Sequence, residues 1–433
     1  MRKILKVLPK HMALLLIFLT IGISSFAEGE AVKLDTGNTA WVIVAGAMVF
    51  FMTPGLAFFY GGMARRSSVL HTMMKSFLAI GIGAIVWIVI GYTITFGPNG
   101  NAFLGSMKFL GLSGMTPDLL EPTGIPTLIF VFFQGAFAVI AVALISGAII
   151  ERTKFASYLV FIILWLILVY SVTAHWAWSS DGWLFKMGVL DLAGGTVIHI
   201  SAGVSAVVAA LIIGPRSKKE NGPHNIPYVL LGTGILWFGW FGFNGGSALG
   251  ANALAGSAVL VTNTCAAVAA LTWMLIEWKA HGKPSIIGAA SGLVAGLVAI
   301  TPAAGFVDVN AAVLMGIVVS FLCYFFVVKV KKHFNYDDSL DAFGIHGVGG
   351  TWGAIATGLF ANPKVNALGT GLFYGNPKQL WIQLISVGVG YAVAIIGTVV
   401  VISILKKLTK VRVEPQEEIN GLDLVLHGER VSE

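Results

Sequence analysis

Charge is what this sequence has least of. Asp, Glu, Lys and Arg make up 11% of its 433 residues while 57% are hydrophobic, against about 25% charged in a typical soluble domain. That shortage excludes an ordinary water-soluble globule. Cysteine is almost absent: Cys265 and Cys323 are the only two, both inside apolar runs, so no disulfide framework exists and they read as buried free thiols. Acidic residues number 20 against 27 basic ones, for a net charge of +7. The basic residues lie in short clusters between apolar runs, not in one stripe, which excludes a nucleic-acid surface.

What the chain has instead is long apolar segments. "TLIFVFFQGAFAVIAVALISGAII" (127–150) and "WIQLISVGVGYAVAIIGTVVVISIL" (381–405) each reach the length needed to cross the bilayer, about 20 residues for about 30 Å of hydrocarbon. Hydropathy predicts an all-α polytopic membrane protein with eleven spans, near 40–62, 73–97, 125–150, 155–174, 192–213, 227–246, 254–278, 286–302, 311–330, 342–361 and 380–405. Ahead of them, "MRKILKVLPKH" is a basic n-region, "MALLLIFLTIGI" an apolar h-region and "SSFA" a small-residue cleavage site. Residues 1–27 therefore read as a signal peptide, with a retained first helix as the alternative. Residues 28–410 are the membrane domain and 411–433 a polar tail.

Alternate loops carry the positive charge: Arg65 and Arg66; Arg152 and Lys154; Arg216, Lys218 and Lys219; Lys279 and Lys283; Lys329, Lys331 and Lys332; Lys406, Lys407 and Lys410. By the positive-inside rule the mature N-terminus lies outside and the tail in the cytoplasm.

Two segments five spans apart are alike, "DLAGGTVIHISAG" (191–203) and "DAFGIHGVGGTWG" (341–353), with a weaker pair in "GLAFFYGGMA" (55–64) and "GWFGFNGGSA" (239–248). A repeat of five helices places its two halves in opposite orientation, a five-plus-five inverted repeat with the substrate path between the halves. His199 and His346 hold matching positions, and an ionisable residue inside a membrane is a functional candidate. A pair of imidazoles can share one hydrogen and line a narrow polar path. No third ligand is placed to make a metal site. Asp191 and Asp341 read as helix N-caps. Asp191 stands about 12 Å from His199 along the helix, near enough to lend negative potential to a cation without touching it. "VFFQGAF" (131–137), "TAHWAW" (173–178) and "WFGWFGFNGGS" (237–247) supply aromatic rings with a Gln and a Ser, a set that would suit a small cation by cation–π attraction.

The segments "DLAGGTVIHISAG", "FFYGG", "WFGWFGFNGGSAL", "VAITPAAGFV", "DAFGIHGVGG" and "GLDLVLHGE" together resemble the ammonium transporter family (Amt/Mep/Rh), in its bacterial Amt form, over nearly the whole mature chain. The resemblance implies that Trp178, Phe137 and Ser247 recruit ammonium, with Asp191 close by. It implies that Phe137 and Phe243 gate the pore, and that His199, His346, Gln134 and Trp240 line it. Ammonium would lose its proton at the gate and ammonia would pass the histidines, with or without that proton following. Methylammonium is a possible second substrate. A homotrimer in the inner membrane, a PII signalling protein at the cytoplasmic face, no cofactor and no enzymatic activity are the further expectations. An ammonium sensor acting through the tail is the alternative function. Against the family pattern, one extra residue lies between Trp178 and Asp191, which bears on the aim of Trp178. Ala342 replaces a larger aliphatic residue, which implies a wider inner bore.

Overall fold

The structure, a computed structural model, describes residues 32–218 and 222–431. The expected signal peptide, Lys219 and the last two residues of the tail lie outside the described residues. Among those described there is no β-strand, only two isolated antiparallel bridges.

Eleven principal helices follow one another among the described residues: α1 (Thr36–Met63), α2 (Arg66–Phe96), α3 (Thr127–Ile149), α4, α5 (Gly195–Ile213), α6 (Ile226–Gly246), α7 (Ala253–His281), α8 (Ile286–Ile300), α9 (Val309–Phe334), α10 (Val348–Phe360) and α11 (Pro377–Leu408). Helix α4 runs from Phe155–Trp165 through the wide turn Leu166–Tyr170 into Ser171–Trp178, and a short helix, Trp183–Met187, follows it. By length and composition nine helices among the described residues could cross a membrane. The eighth and tenth expected spans are helical too but short, 15 residues in α8 and 13 in α10. The tenth is extended by the wide turn Phe343–Gly347 that leads into it.

Local sequence explains the helix starts. Asp35, Asn225, Asn252, Ser285 and Asp308 each cap a helix, the side-chain oxygen accepting from a backbone N–H three residues on. Asn225 precedes a Pro in the first turn of α6, where the missing N–H is no loss. With no water to satisfy backbone groups in hydrocarbon, helices carry the chain across.

Helices α5 and α10 cross back to back at the centre. Gly203 lies against the backbone of Gly347, and a Cβ on Gly350 would stand 2.9 Å from the His199 Cβ. Glycine at this crossing is what lets two histidine-bearing helices approach so closely.

The tail is folded, not a solvated end. Lys154 N donates to Val411 O and Val413 N to Arg152 O, each within 3.0 Å. Residues Pro415–Asn420 form a short helix, α12, opened by a capping box of Glu414 and Glu417. Buried Glu418 accepts from the Ser217 N–H and hydroxyl and pairs with Arg412 at 2.8 Å. Asp423 accepts from Leu70 N and His71 N, so the tail caps the start of α2.

The basic loops supply this surface through ion pairs: Arg65–Glu151 at 2.8 Å, Arg216–Asp337 at 3.0 Å and Arg152–Asp337 at 3.9 Å. Burial would raise the Asp337 carboxyl, but Arg216 and then Arg152 hold it down at about 2. Arg65 and Arg152 are thus buried structural cations as well as topology signals.

Candidate functional site

Two cavities lie end to end, separated by a pair of rings. The wider is a vestibule of about 410 Å³ lined by Gln134, Phe137, Trp178, Asp191 and Ser247, among others. The narrower, about 10 Å³, is lined by His199, His346, Trp240, Phe243 and aliphatic side chains from α1, α3 and α8. That volume admits about one water-sized molecule. Phe137 lines the first and Phe243 the second, and their rings sit 4.3 Å apart at a 34° tilt, closing the passage.

Trp178 stands edge-on to Phe137, centroids 6.2 Å apart, and its Nε1 donates to the Asp191 carbonyl at 2.8 Å. The extra residue before Asp191 has therefore not turned the indole away from the vestibule. Ser247, at the C-terminal end of α6, donates its hydroxyl to Phe243 O at 2.8 Å. Its lone pairs remain to accept from a donor in the vestibule. The Gln134 side-chain oxygen is buried, with no hydrogen-bond partner among the described residues. Gln134 thus belongs to the vestibule side, whereas Trp240 lies beyond the ring pair and donates from Nε1 to Thr301 at 2.9 Å.

The Asp191 carboxylate faces its own helix. Gly194 and Gly195 N–H donate to one oxygen at 2.9 and 2.6 Å, Thr196 and Val197 to the other at 2.9 and 3.3 Å. These are the unpaired donors of a helix start, and Gly194 at φ 112° makes the turn that presents them. The helix then begins in a wide turn, Gly195–Ile200, that carries His199.

His199 and His346 are buried, and their Nδ1 atoms are 3.3 Å apart. One ring must donate and the other accept. Their planes lie 22° apart with centroids at 5.3 Å, and His199 stacks on Trp240 at 5.5 Å. His199 Nε2 has no hydrogen-bond partner among the described residues.

A sequence model of the Ammonium Transporter Family matches residues 40–432. The chain belongs to the ammonium transporter family. It is 49% identical over 412 residues to the ammonium transporter of Aquifex aeolicus, covering 94% of this chain and 96% of that one. It is 46% identical over 400 residues to the ammonium transporter of Bacillus subtilis, covering 92% and 98%. The fold matches the crystal structure of Saccharomyces cerevisiae Mep2 with a TM-score of 0.82 at 35% identity over 88% of each chain. It also matches a solved structure described as a Sensor Amt Protein, TM-score 0.83 at 31% identity, over 90% of this chain and 98% of that one. This ammonium transporter family member is a multi-pass membrane protein and not an enzyme.

One expectation fails. Asp341 does not cap the helix of His346: it has a positive φ of 58° and its carboxylate takes Lys331 at 2.6 Å. The cap is Asp338, which accepts from Ala342 N at 3.1 Å and Phe343 N at 2.7 Å. Asp338 stands eight residues before His346, just as Asp191 stands eight before His199. That offset was readable in the sequence, but Asp341 masked it by aligning "DAFG" with "DLAG". Ala342 is buried at this cap, and the narrow cavity is lined without it, so the wider inner bore does not follow. Thr301, the partner of Trp240, was missed because a lone Thr at a helix end gives no signal.

Proposed function

We propose that the protein imports ammonium by stripping a proton from it at the ring pair and passing ammonia along the histidines. Ammonium is close to potassium in size, so diameter alone cannot separate them. An intact ion entering an apolar bore loses its hydration at great cost, whereas neutral ammonia crosses far more cheaply. Ammonium, unlike potassium, can shed a proton. The observation that carries the reading is the closed Phe137–Phe243 pair between a vestibule that offers Gln134, Ser247 and Asp191 and a one-molecule bore lined by two imidazoles.

In the vestibule, the Trp178 and Phe137 rings would hold the cation over their faces while Ser247 and the Gln134 oxygen accept its hydrogens. Asp191 contributes field rather than contact, its oxygens being occupied by backbone donors. In the bore, His199 and His346 would accept from and donate to ammonia in turn. Currents recorded on solid-supported membranes decide whether the proton follows. The His199→Ala, His346→Ala double variant should carry no ammonium current; normal current with potassium still excluded would sink the histidine route.

The vestibule faces outward and the tail inward in this reading, from the distribution of Lys and Arg. A C-terminal reporter active only outside the inner membrane would overturn that orientation. A homotrimer with one path per subunit, and a PII protein docking on the tail face, are carried over from the family resemblance. Pull-down from the host's extract with and without residues 411–433 tests the latter. One observation favours a second reading, ammonium sensing: the tail caps α2 through Asp423, which could couple it to the helices. Uptake of labelled methylammonium into vesicles separates transport from sensing alone.

A further inference from the structure

The bore has one donor that does not serve it. Of the described side chains that line it, His199, His346 and Trp240 carry nitrogen; the rest are aliphatic, phenyl or thioether. Trp240 stacks on His199 at 5.5 Å and leans on the gate ring Phe243 at 5.2 Å. Its indole is thus wall, support for a histidine and backing for the gate. Its Nε1–H points elsewhere, donating to Thr301 Oγ1 at 2.9 Å, and Thr301 is fully buried and lines neither cavity.

Thr301 is arranged to accept. Its single hydroxyl hydrogen goes to Leu297 O at 2.8 Å, one turn back in α8. That leaves lone pairs for a group that can only donate, as an indole does. The turn carrying Thr301 is pinned to both histidine helices. Leu192 N donates to Pro302 O at 3.2 Å, and a Cβ on Gly195, the first residue of α5, would stand 2.6 Å from the Pro302 ring. A Cβ on Gly353 of α10 would run into Ala299 O. Close packing of this kind leaves the hydroxyl little freedom to move. "VAITPAAGFV" (298–307) thereby gains a role that its sequence did not announce.

We propose that Thr301 is a positioning residue for transport: it claims the indole N–H of Trp240, so that the bore wall offers ammonia no donor besides the two imidazoles. Ammonia is a strong acceptor. In a bore that holds about one molecule, a free indole N–H would bind each ammonia that passes, or a water in its place, and slow its release. With that hydrogen held by Thr301, the Trp240 ring presents carbon and stays stacked on His199 and Phe243.

The inference rests on the reading that ammonia passes the histidines, but its first test does not involve transport. Full-length protein in lipid, labelled with ¹⁵N-indole tryptophan and ¹³C-threonine, should give an indole-to-threonine cross-peak that disappears in both Trp240→Phe and Thr301→Val. No peak lost in common overturns the contact. In uptake by proteoliposomes, Thr301→Val keeps the shape and removes the acceptor. Maximal flux should fall about tenfold, the strength of one hydrogen bond to each passing ammonia. The half-saturating ammonium concentration, set in the vestibule, should stay within about twofold. Thr301→Ser should restore the flux, and Thr301→Cys, a weaker acceptor, should fall between. In a Trp240→Phe background, which has no indole N–H, Thr301→Val should change flux less than about twofold. A tenfold loss there too, or a valine variant as fast as the serine one, overturns the positioning role. If Thr301→Val fails to assemble, the order of the serine and cysteine variants decides. Normal current in the His199→Ala, His346→Ala variant would instead sink the histidine route, while the cross-peak left the hold of Thr301 on Trp240 standing.

Discussion

Helices α5 and α10 are built by one device used twice. Each starts at an aspartate, Asp191 or Asp338, turns through a wide first turn and presents a histidine eight residues on. The surroundings differ. Asp191 borders the vestibule and is held by four backbone N–H groups. Asp338 is held by two, with Lys331, Asp341, Asp337 and the Arg152 and Arg216 pairs around it. Burial pushes the Asp338 carboxyl up to about 6, with Lys331 opposing and Asp341 adding. The same cap therefore works against a neutralised background at the tail face and against dipoles alone at the vestibule. Burial raises the Asp191 carboxyl too, with those four backbone donors opposing, and in the proposed reading its field is what a cation in the vestibule would feel. Symmetry built the two helices; the environment assigned them different work.

The comparison can be broken or sharpened by substitution. Asp191→Ala removes a carboxylate that satisfies four helix-start donors and the field at the vestibule together. Ammonium uptake into proteoliposomes should fall about a hundredfold, near 3 kcal/mol for charge-assisted bonds lost together. Uptake within twofold of wild type would mean that the two caps are equivalent and that the field argument fails.

Gly203→Ala tests the crossing itself. Its new methyl would run into the Gly347 backbone, and overpacking of this kind costs about 1–3 kcal/mol. A lower Tm in detergent, with weaker ammonium selectivity as His199 and His346 separate, is the expected result. An unchanged Tm would show the crossing to be looser than drawn.

Asp338→Ala should cost about 1 kcal/mol, an ordinary cap, measured as a Tm shift with uptake nearly retained. A loss of uptake as deep as that of Asp191→Ala would erase the contrast between the two ends. Smallest is Ala342→Val, which adds bulk at the Asp338 cap but not in the lining of the bore. Uptake should change less than twofold, and a severalfold fall would restore Ala342 to the inner pore.

Much of this was legible beforehand because a bilayer simplifies the code. Segment length and hydropathy located the helices, and even the short α8 and α10 fell where the apolar runs placed them. The histidine pair was legible because ionisable residues stand out in such segments. The cap of the second helix was not. Asp338 and Asp341 are both candidates by type, and the choice depends on Lys331 reaching back from α9 to claim one of them.

The sequence by itself determined an all-helical membrane protein, through local composition and hydropathy that act along the chain, and its family, through the motifs that carry the resemblance. Only the tertiary structure decided that Phe137 and Phe243 close on each other and that Gln134 belongs to the vestibule. It also decided that the tail caps α2. Each of these joins residues from separate helices or loops, and distances across such gaps are set by how the helices cross.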